Sequence, residues 1–358
     1  MSTPRLRRIS PGQKPIDNPT DRHRRRSISA SSHSRRRDIG ILMLRRICSL
    51  PLLALAVTAA MFFLASLSPF DPLEAYTHGN AGALTDEQRE DLIRTLNIGG
   101  PWYASWWSWV TSVCTGDLGT SRFYRMPVAD VLAQRLGWSI LLGALALTLT
   151  LVVSFVLGVV AGLREGGLVD RIAGFIATLL QSLPPFVLAL VALLVFCLWI
   201  PIAPAGGLTD PGQPVTFAGT LRHVALPAVI LGISQLPWFL LSLRASVREA
   251  IQSEAMTGTR VRGLDRRTVM LHHIVPLSLP SYFALIGSRL PELIVGSTII
   301  ESIFGWPGLG QAMVDSAKSL DFMLLSTLTL LITIAVLIGN MLADACVVLT
   351  DPRVDANV

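Results

Sequence analysis

The sequence predicts an all-α, polytopic membrane protein with six membrane-spanning helices. Three observations lead to this prediction. The 358 residues are 51% hydrophobic and only 15% charged, with a mean hydropathy of +0.54, which is unusual for a soluble domain. Long windows without a charged residue occur along the chain, and a helix needs about 20 apolar residues to cross a bilayer. An arginine-rich polar segment, residues 244–280, separates two groups of these windows.

The windows locate the spans. Uncharged windows at 47–70, 136–163, 172–209, 223–243 and 322–343 predict helices over about 47–69, 137–163, 172–200, 223–243 and 322–346. The remaining span follows the polar segment at about 279–300, and it contains Arg289, Pro291 and Glu292. Because six is an even number, both termini are expected on the same side of the membrane.

The N-terminal region decides which side that is. Residues 1–46 hold thirteen Lys and Arg residues against three Asp residues, a net charge of +10, which predicts a cytoplasmic location. Residues 1–42 are rich in Arg, Ser and Pro, and we expect a disordered basic tail. Met43 would itself be a sensible start before the first span. The transmembrane domain is expected over 43–353, followed by a short tail, 354–358.

The first outward loop, residues 71–135, contains two further signals. The segment 84–98 predicts a short amphipathic helix that begins at Thr85 as its N-cap. Five aromatic residues follow between Trp102 and Trp109, and such clusters are typical of the lipid headgroup level. A stacking platform for a sugar or a peptide is the alternative interpretation.

The sequence lacks the common signatures of an enzyme. It contains no GxxxxGK[ST] phosphate-binding loop, so the chain cannot itself be an ATPase, and it contains neither HExxH nor GxSxG. His272 and His273 are adjacent and therefore lie on different helix faces, which makes them a poor metal pair. Asp, Glu and His relays through the spans are also missing, which weakens the case for a proton-coupled carrier. We expect no catalytic residue, cofactor or metal.

The polar segment is the most informative part of the chain. It holds six arginines against three acids, which places it on the cytoplasmic side, and its composition is compatible with helices. A polar helix between two spans must lie outside the lipid. We therefore expect a soluble cytoplasmic protein to dock there, which favours a transporter driven from the inside.

Several motifs in this order carry a family resemblance. The stretch GTRVRGLDRRTVMLHHIVPLSLP (258–280) resembles the EAA loop of bacterial ABC transporter permeases, with Gly263 as its hallmark glycine. The oligopeptide, dipeptide and nickel branch of that family is similar at five further stretches: GDLGTSRFYRMPV (116–128), GLREGGLVDR (162–171), LRHVALPAVIL (221–231), ESIFGWPGLG (301–310) and LTDPR (349–353). In the frame set by Gly263, Thr257-Gly258-Thr259 stands where the family has its EAA triplet.

The resemblance implies a type I importer permease fold in a bacterial inner membrane. It implies a homologous second permease, two ATPase subunits and an extracytoplasmic solute-binding protein as partners, together with membrane lipid. Nucleic acid is not expected as a partner. The ATPase-docking residues that it implies are Glu254, Ala255, Thr257, Gly258, Arg260, Arg262, Gly263 and Leu264. A peptide-like solute is the first expectation, and nickel or another solute is the alternative.

Arg289 and Glu292 are separate candidates because the resemblance does not explain them. They lie three residues apart and so share a helix face, where they can pair. One interpretation is a structural ion pair, and the other is that this face lines the solute path. A self-sufficient secondary carrier or channel remains the alternative of a different class, and an inverted repeat would favour it.

Overall fold

A computed structural model describes residues 47–67, 85, 101–253, 256 and 264–350, and this part of the chain is almost entirely helical. The first elements are α1 (Ile47–Ser66), α2 (Trp102–Cys114), β1 (Thr120–Ser121), β2 (Met126–Pro127), α3 (Val128–Leu163), α4 (Leu168–Gln181) and α5 (Pro185–Leu193). The later elements are α6 (Phe217–Gln252), α7 (Arg266–Val269), α8 (Val275–Ile303), α9 (Leu309–Lys318) and α10 (Phe322–Thr350). Residues Leu194–Trp199 and Met270–Ile274 are π-helical.

Among the described residues, five helical stretches are long and apolar enough to cross a membrane: Ile47–Ser66, Val128–Leu163, Phe217–Gln252, Arg267–Ile303 and Phe322–Leu342. Large apolar side chains point outward from the helices, including Ile140 and Phe175, which are 60% and 69% exposed. An apolar surface of this extent fits hydrocarbon rather than water.

The predicted third span, 172–200, differs from the structure because it is not one helix. It consists of α4 and the stretch Pro185–Trp199, which meet at an angle of 98° and together count as one further crossing segment at most. The cause is local: Pro184 has an extended backbone with a ψ of 143°, as a residue before a proline prefers, and Pro185 begins the next helix.

The span after the polar segment is longer than the predicted 279–300. Helical structure runs from Arg267 to Ile303 through Pro276, Pro280 and Pro291. The π-helical turn Met270–Ile274 lies just before Pro276, the first of these prolines. A proline removes one backbone hydrogen bond of a helix, and the wider π-helical turn accommodates that irregularity. A proline inside a helix usually ends or kinks it, but packing on α6 and α10 keeps this one continuous.

Helix α3 packs along most of α6, and α8 packs against α6 and α10. The α3–α6 contact requires glycine. A Cβ atom on Gly162 would lie 2.7 Å from Val247 Cβ, and one on Gly158 would lie 3.1 Å from Leu243 Cβ. Glycine therefore brings the two backbones closer than any larger residue would permit.

The two ends of the bundle differ. At the end that we name the hairpin end, β1 and β2 form an antiparallel hairpin. Asp321 accepts hydrogen bonds from Ser121 Oγ at 2.6 Å and from the backbone N–H of Arg122 at 2.9 Å. Tyr124 OH donates to Asp315 at 2.9 Å, and burial raises the pKa of this tyrosine. The hairpin is thus held against α9 and the start of α10.

We name the opposite end the turn end. It contains the turn Arg164–Gly167, the last residues of α6 and the first residues of α7, and the last two flank residues 253–265 in the sequence. Residue 85 apart, the segment 84–98 for which an amphipathic helix is predicted lies outside the described residues. The predicted aromatic cluster forms α2. Trp106 Nε1 donates to Thr58 Oγ1 at 3.2 Å, and Trp102 packs on Phe63, so α2 lies against the later half of α1.

Replacing Gly162 with Val should destabilise the folded protein, because overpacking at a closed contact costs about 1–3 kcal/mol. The measurement is the thermal unfolding temperature of the detergent-purified chain. Gly137→Val is the matched control, because Gly137 lies in the same helix and a Cβ atom added to it would meet no neighbouring atom within 4 Å. Equal unfolding temperatures for the two variants would contradict the close-contact role of Gly162.

Candidate functional site

The turn end contains the predicted ATPase-docking segment. Of its eight residues, Leu264 lies within the described part of the chain, where it is 41% exposed. The other seven, Glu254, Ala255, Thr257, Gly258, Arg260, Arg262 and Gly263, lie outside the described residues. The structure therefore describes what flanks this segment: the end of α6 on one side and the start of α7 on the other.

Helix α7 begins at a defined cap. The carboxylate of Asp265 accepts a hydrogen bond from the backbone N–H of Thr268 at 3.2 Å. Hydrogen bonds from Thr268 hold the pKa of Asp265 below its usual range. A carboxylate at a helix N-terminus also interacts favourably with the helix dipole. This cap marks the point at which the polar segment turns into the long helical stretch that follows.

The end of α6 is fixed by one buried acid. Asp170 on α4 is 3% exposed and accepts from two arginines of α6. Arg244 Nε donates to Oδ1 at 2.5 Å, and Arg248 Nη2 donates to Oδ2 at 2.6 Å. The backbone N–H of Gly166 donates to Oδ2 at 2.9 Å, so the same carboxylate also closes the turn before α4. We name Asp170, Arg244 and Arg248 the aspartate clamp.

The geometry of the clamp explains why it is rigid. Arg244 and Arg248 are four residues apart, so they lie on one face of α6 and reach the two oxygens of one carboxylate. Arg248 also lies 3.4 Å from Glu165, whose side chain is 61% exposed. Charge-assisted hydrogen bonds of this kind are stronger than neutral ones. The clamp therefore ties the last two turns of α6 to the turn at Arg164–Gly167.

Sequence reasoning missed the role of Asp170. The stretch GLREGGLVDR contributes to the family resemblance, but the sequence analysis assigns no role to its aspartate. A signal is available: two arginines spaced by four at the end of a long apolar helix require a partner if that face is packed. The spacing by itself does not identify which acid supplies it.

A cavity of about 640 Å³ opens beside the clamp, between the end of α3, the end of α6 and the start of α7. Buried Met256 and Ile274 form its inner wall, and Arg164, Leu264 and Arg267 are exposed at its opening. The remaining lining residues are apolar: Leu163, Ile251, Val269 and Met270. No acidic residue lines it within the described chain.

The structure brings Arg289 and Glu292 together in an ion pair on α8, as their spacing predicts. The guanidinium of Arg289 also lies over the ring of Trp238 of α6, 3.8 Å from its centroid. The side chain of Glu292 is 50% exposed and that of Arg289 is 20% exposed. The pair is thus anchored to a neighbouring helix on the arginine side and open on the glutamate side.

The described residues contain no group of three or more His, Cys, Asp and Glu side chains that could hold a metal ion. His272 and His273 lie in the π-helical turn, where they line a second, smaller cavity together with Pro276 and Leu277.

A helical bundle with several segments that are long and apolar enough to cross a bilayer is the architecture of an integral membrane protein. Residues 154–356 match the family model described as the binding-protein-dependent transport system inner membrane component. This match covers more than half of the chain, which therefore belongs to that family of transport permeases.

Similar proteins span nearly the whole chain. A protein of Brucella suis biovar 1 (strain 1330), whose name contains the words peptide permease protein, is 30% identical over 84% of this chain and 94% of its own length. The oligopeptide transport system permease protein AppB of Bacillus subtilis (strain 168) is 26% identical over 87% of this chain and 98% of its own. The nickel import system permease protein NikB of Staphylococcus aureus (strain bovine RF122 / ET3-1) is 26% identical over 87% of this chain and 90% of its own length.

Replacing Asp170 with Asn should lower the free energy of unfolding by roughly 3 kcal/mol, because two arginines lose the charge that compensates them. The measurement is thermal unfolding of the purified chain at neutral pH. Glu165→Gln is the matched control: it removes the exposed partner of Arg248 and should change stability little, because exposed ion pairs contribute little. A clamp without structural importance would give the same small change in both variants.

Proposed function

We propose that this permease is one subunit of an ATP-driven ABC importer for a peptide-like solute. The observation that carries the proposal is the similarity over nearly the full length to permeases whose names specify peptides or oligopeptides. A dipeptide transport system permease protein, DppB of Lactococcus lactis subsp. cremoris (strain MG1363), is also 28% identical over 87% of the chain. Nickel is the second candidate, because a nickel import permease is similar to the same extent.

The proposal includes partners. The sequence has no phosphate-binding loop, so ATP hydrolysis is assigned to two separate ATPase subunits. A homologous second permease would complete the path, and an extracytoplasmic binding protein would deliver the solute. A self-sufficient carrier or channel would need none of these, and membership of a binding-protein-dependent family argues against it.

The proposed orientation places the turn end and both termini in the cytoplasm. The support is the net charge of +10 in residues 1–46 together with the arginines of the polar segment. Helices α3 and α6 then run from the outer to the inner side, and the hairpin end faces outward.

In this orientation the segment Glu254–Leu264 would be the short helix that docks into the ATPase. The aspartate clamp supports this role because it fixes the end of α6. That helix ends at Gln252, two residues before the docking segment begins at Glu254. The capped start of α7 fixes the other side. A segment held at both ends can transmit a push from a partner to two long helices rather than absorb it by local bending.

Replacing Gly263 with Val should abolish uptake of a labelled peptide and reduce transport-coupled ATPase activity, because we assign to that glycine a sharp backbone reversal that valine would disfavour. The assay uses a strain that lacks the chromosomal gene and expresses the full set of partner subunits. Membrane insertion is checked by the amount of the chain in the membrane fraction.

Gly137→Val serves as the control, because space is open around that glycine. Uptake at the unmodified level by the Gly263 variant would refute the docking role. If the unmodified chain takes up nickel but none of the peptides tested, the peptide assignment is refuted. The assignment as an importer is then unaffected.

The face of α8 that carries Arg289 and Glu292 is proposed to line the solute path. An ionised side chain at bilayer depth costs at least about 2.5–3.5 kcal/mol against hydrocarbon, so a half-exposed carboxylate there must face water or protein. Trp238 holds the guanidinium in place, and Arg289 could meet the carboxylate of a peptide.

Arg289→Gln should raise the apparent KM for a zwitterionic peptide about tenfold, because a charge-assisted contact is lost. Protein level and basal ATPase activity should stay unchanged. The alternative, a purely structural pair, makes a different forecast. In that case Arg289→Gln lowers the amount of folded protein, and adding Glu292→Gln restores it.

A further inference from the structure

We propose that the cavity at the turn end binds the headgroup and upper acyl chain of an anionic phospholipid. The site consists of Arg164 and Arg267 at the opening and the apolar wall around Met256 and Ile274. This inference rests on the proposed orientation, which places the cavity at the inner leaflet. It concerns a ligand of the permease other than the transported solute.

The two arginines supply the charge. Arg164 follows the last residue of α3 and Arg267 lies in the first turn of α7, so they reach the opening from different elements. Both are exposed, and neither forms an ion pair with another residue of the described chain. Two acids that lie next to these arginines in the sequence are engaged elsewhere: Asp265 caps α7, and Glu165 lies beside Arg248. Two guanidinium groups at one opening, with no acid partner among the described residues, favour a phosphate ligand.

The interior supplies the specificity for a lipid over a free anion. A volume of about 640 Å³ falls within the range of about 300–1,000 Å³ that is typical of ligand pockets. Its wall is apolar, formed by residues such as Leu163, Ile251 and Val269. An inorganic phosphate would leave this apolar space to water, whereas an acyl chain would fill it.

The surroundings place the opening at the membrane boundary. Leu271 and Leu277, which follow Arg267 along the same helical stretch, are 47% and 54% exposed. Leu168, after the turn, is 75% exposed. Apolar side chains this exposed next to paired arginines mark the level where hydrocarbon gives way to headgroups. Basic pockets between helices on the cytoplasmic side are known to bind anionic headgroups.

Lipid occupancy would link the end of α3 to the two elements that flank the docking segment, namely the end of α6 and the start of α7. The phosphate would bridge Arg164 and Arg267, and the acyl chain would pack against Met256, which lies inside the segment 253–265. The bound lipid would therefore support the docking segment from the membrane side.

The test is native mass spectrometry of the full-length chain and of the complete transporter, titrated with phosphatidylglycerol or phosphatidylcholine of identical acyl chains. The unmodified protein should retain phosphatidylglycerol preferentially. The double variant Arg164→Gln/Arg267→Gln should bind it about thirtyfold more weakly, because each basic residue near an anionic surface contributes about 1 kcal/mol and about 1.4 kcal/mol corresponds to a factor of ten.

Arg171→Gln is the matched control, because Arg171 is an exposed arginine on the same end of the bundle but does not line the cavity. Val269→Phe is a second variant that fills the cavity and keeps both charges, and it should also weaken retention. Unchanged retention in the double variant would overturn the proposal, as would equal losses in Arg171→Gln.

Two further outcomes would assign the cavity to another ligand. If glycerol phosphate displaces phosphatidylglycerol at equal concentration, the site binds a free anion and the lipid proposal fails. The lone permease could retain phosphatidylglycerol while the complete transporter does not. In that case the ATPase occupies the cavity and the proposal fails as well. Peptide uptake is measured separately, so failure of the lipid proposal leaves the importer assignment untouched.

Discussion

The close contact between α3 and α6 is the constraint on which the rest of the structure depends. Gly158 and Gly162 remove the side chains that would separate the two helices, and Leu243 and Val247 fill the resulting space. In lipid there is no hydrophobic gain from joining two apolar helices, so close van der Waals packing must hold them together. Because this contact extends to the last turn of α3, the position of the α6 end follows from it.

The aspartate clamp continues that contact with polar groups. Val247 packs against Gly162, and Arg244 and Arg248 lie beside it on the neighbouring face of α6. Within one turn the helix thus combines apolar packing with charge-assisted hydrogen bonds, shortly before it ends at Gln252. A helix end anchored in this way is held to the turn at Arg164–Gly167 and moves together with it.

The sequence is sufficient for the helical class, the approximate places of the crossing segments and the pairing of Arg289 with Glu292. These depend on hydropathy and on spacing within one helix, which are local properties. Two features do not follow from the sequence. They are the bend between Gln181 and Pro185 and the continuous helix through Pro280 and Pro291. Prolines give the same signal in both places, and only the packing around each decides whether the helix breaks. Asp170 escapes prediction for a related reason, since its partners lie 74 and 78 residues away along the chain.

The bend between α4 and α5 has a consequence for how a chain can turn inside a bilayer. A corner in lipid usually leaves backbone N–H groups without acceptors, and each costs several kcal/mol. Pro184 and Pro185 have no N–H to leave unpaired. The neighbouring donors are satisfied locally, because Ser182 N–H donates to Thr178 and Leu179, Leu183 N–H to Leu180, and Val187 N–H to the carbonyl of Pro184. The corner therefore keeps most of its backbone donors paired, which lowers the cost of a near right-angled turn at this point of the chain.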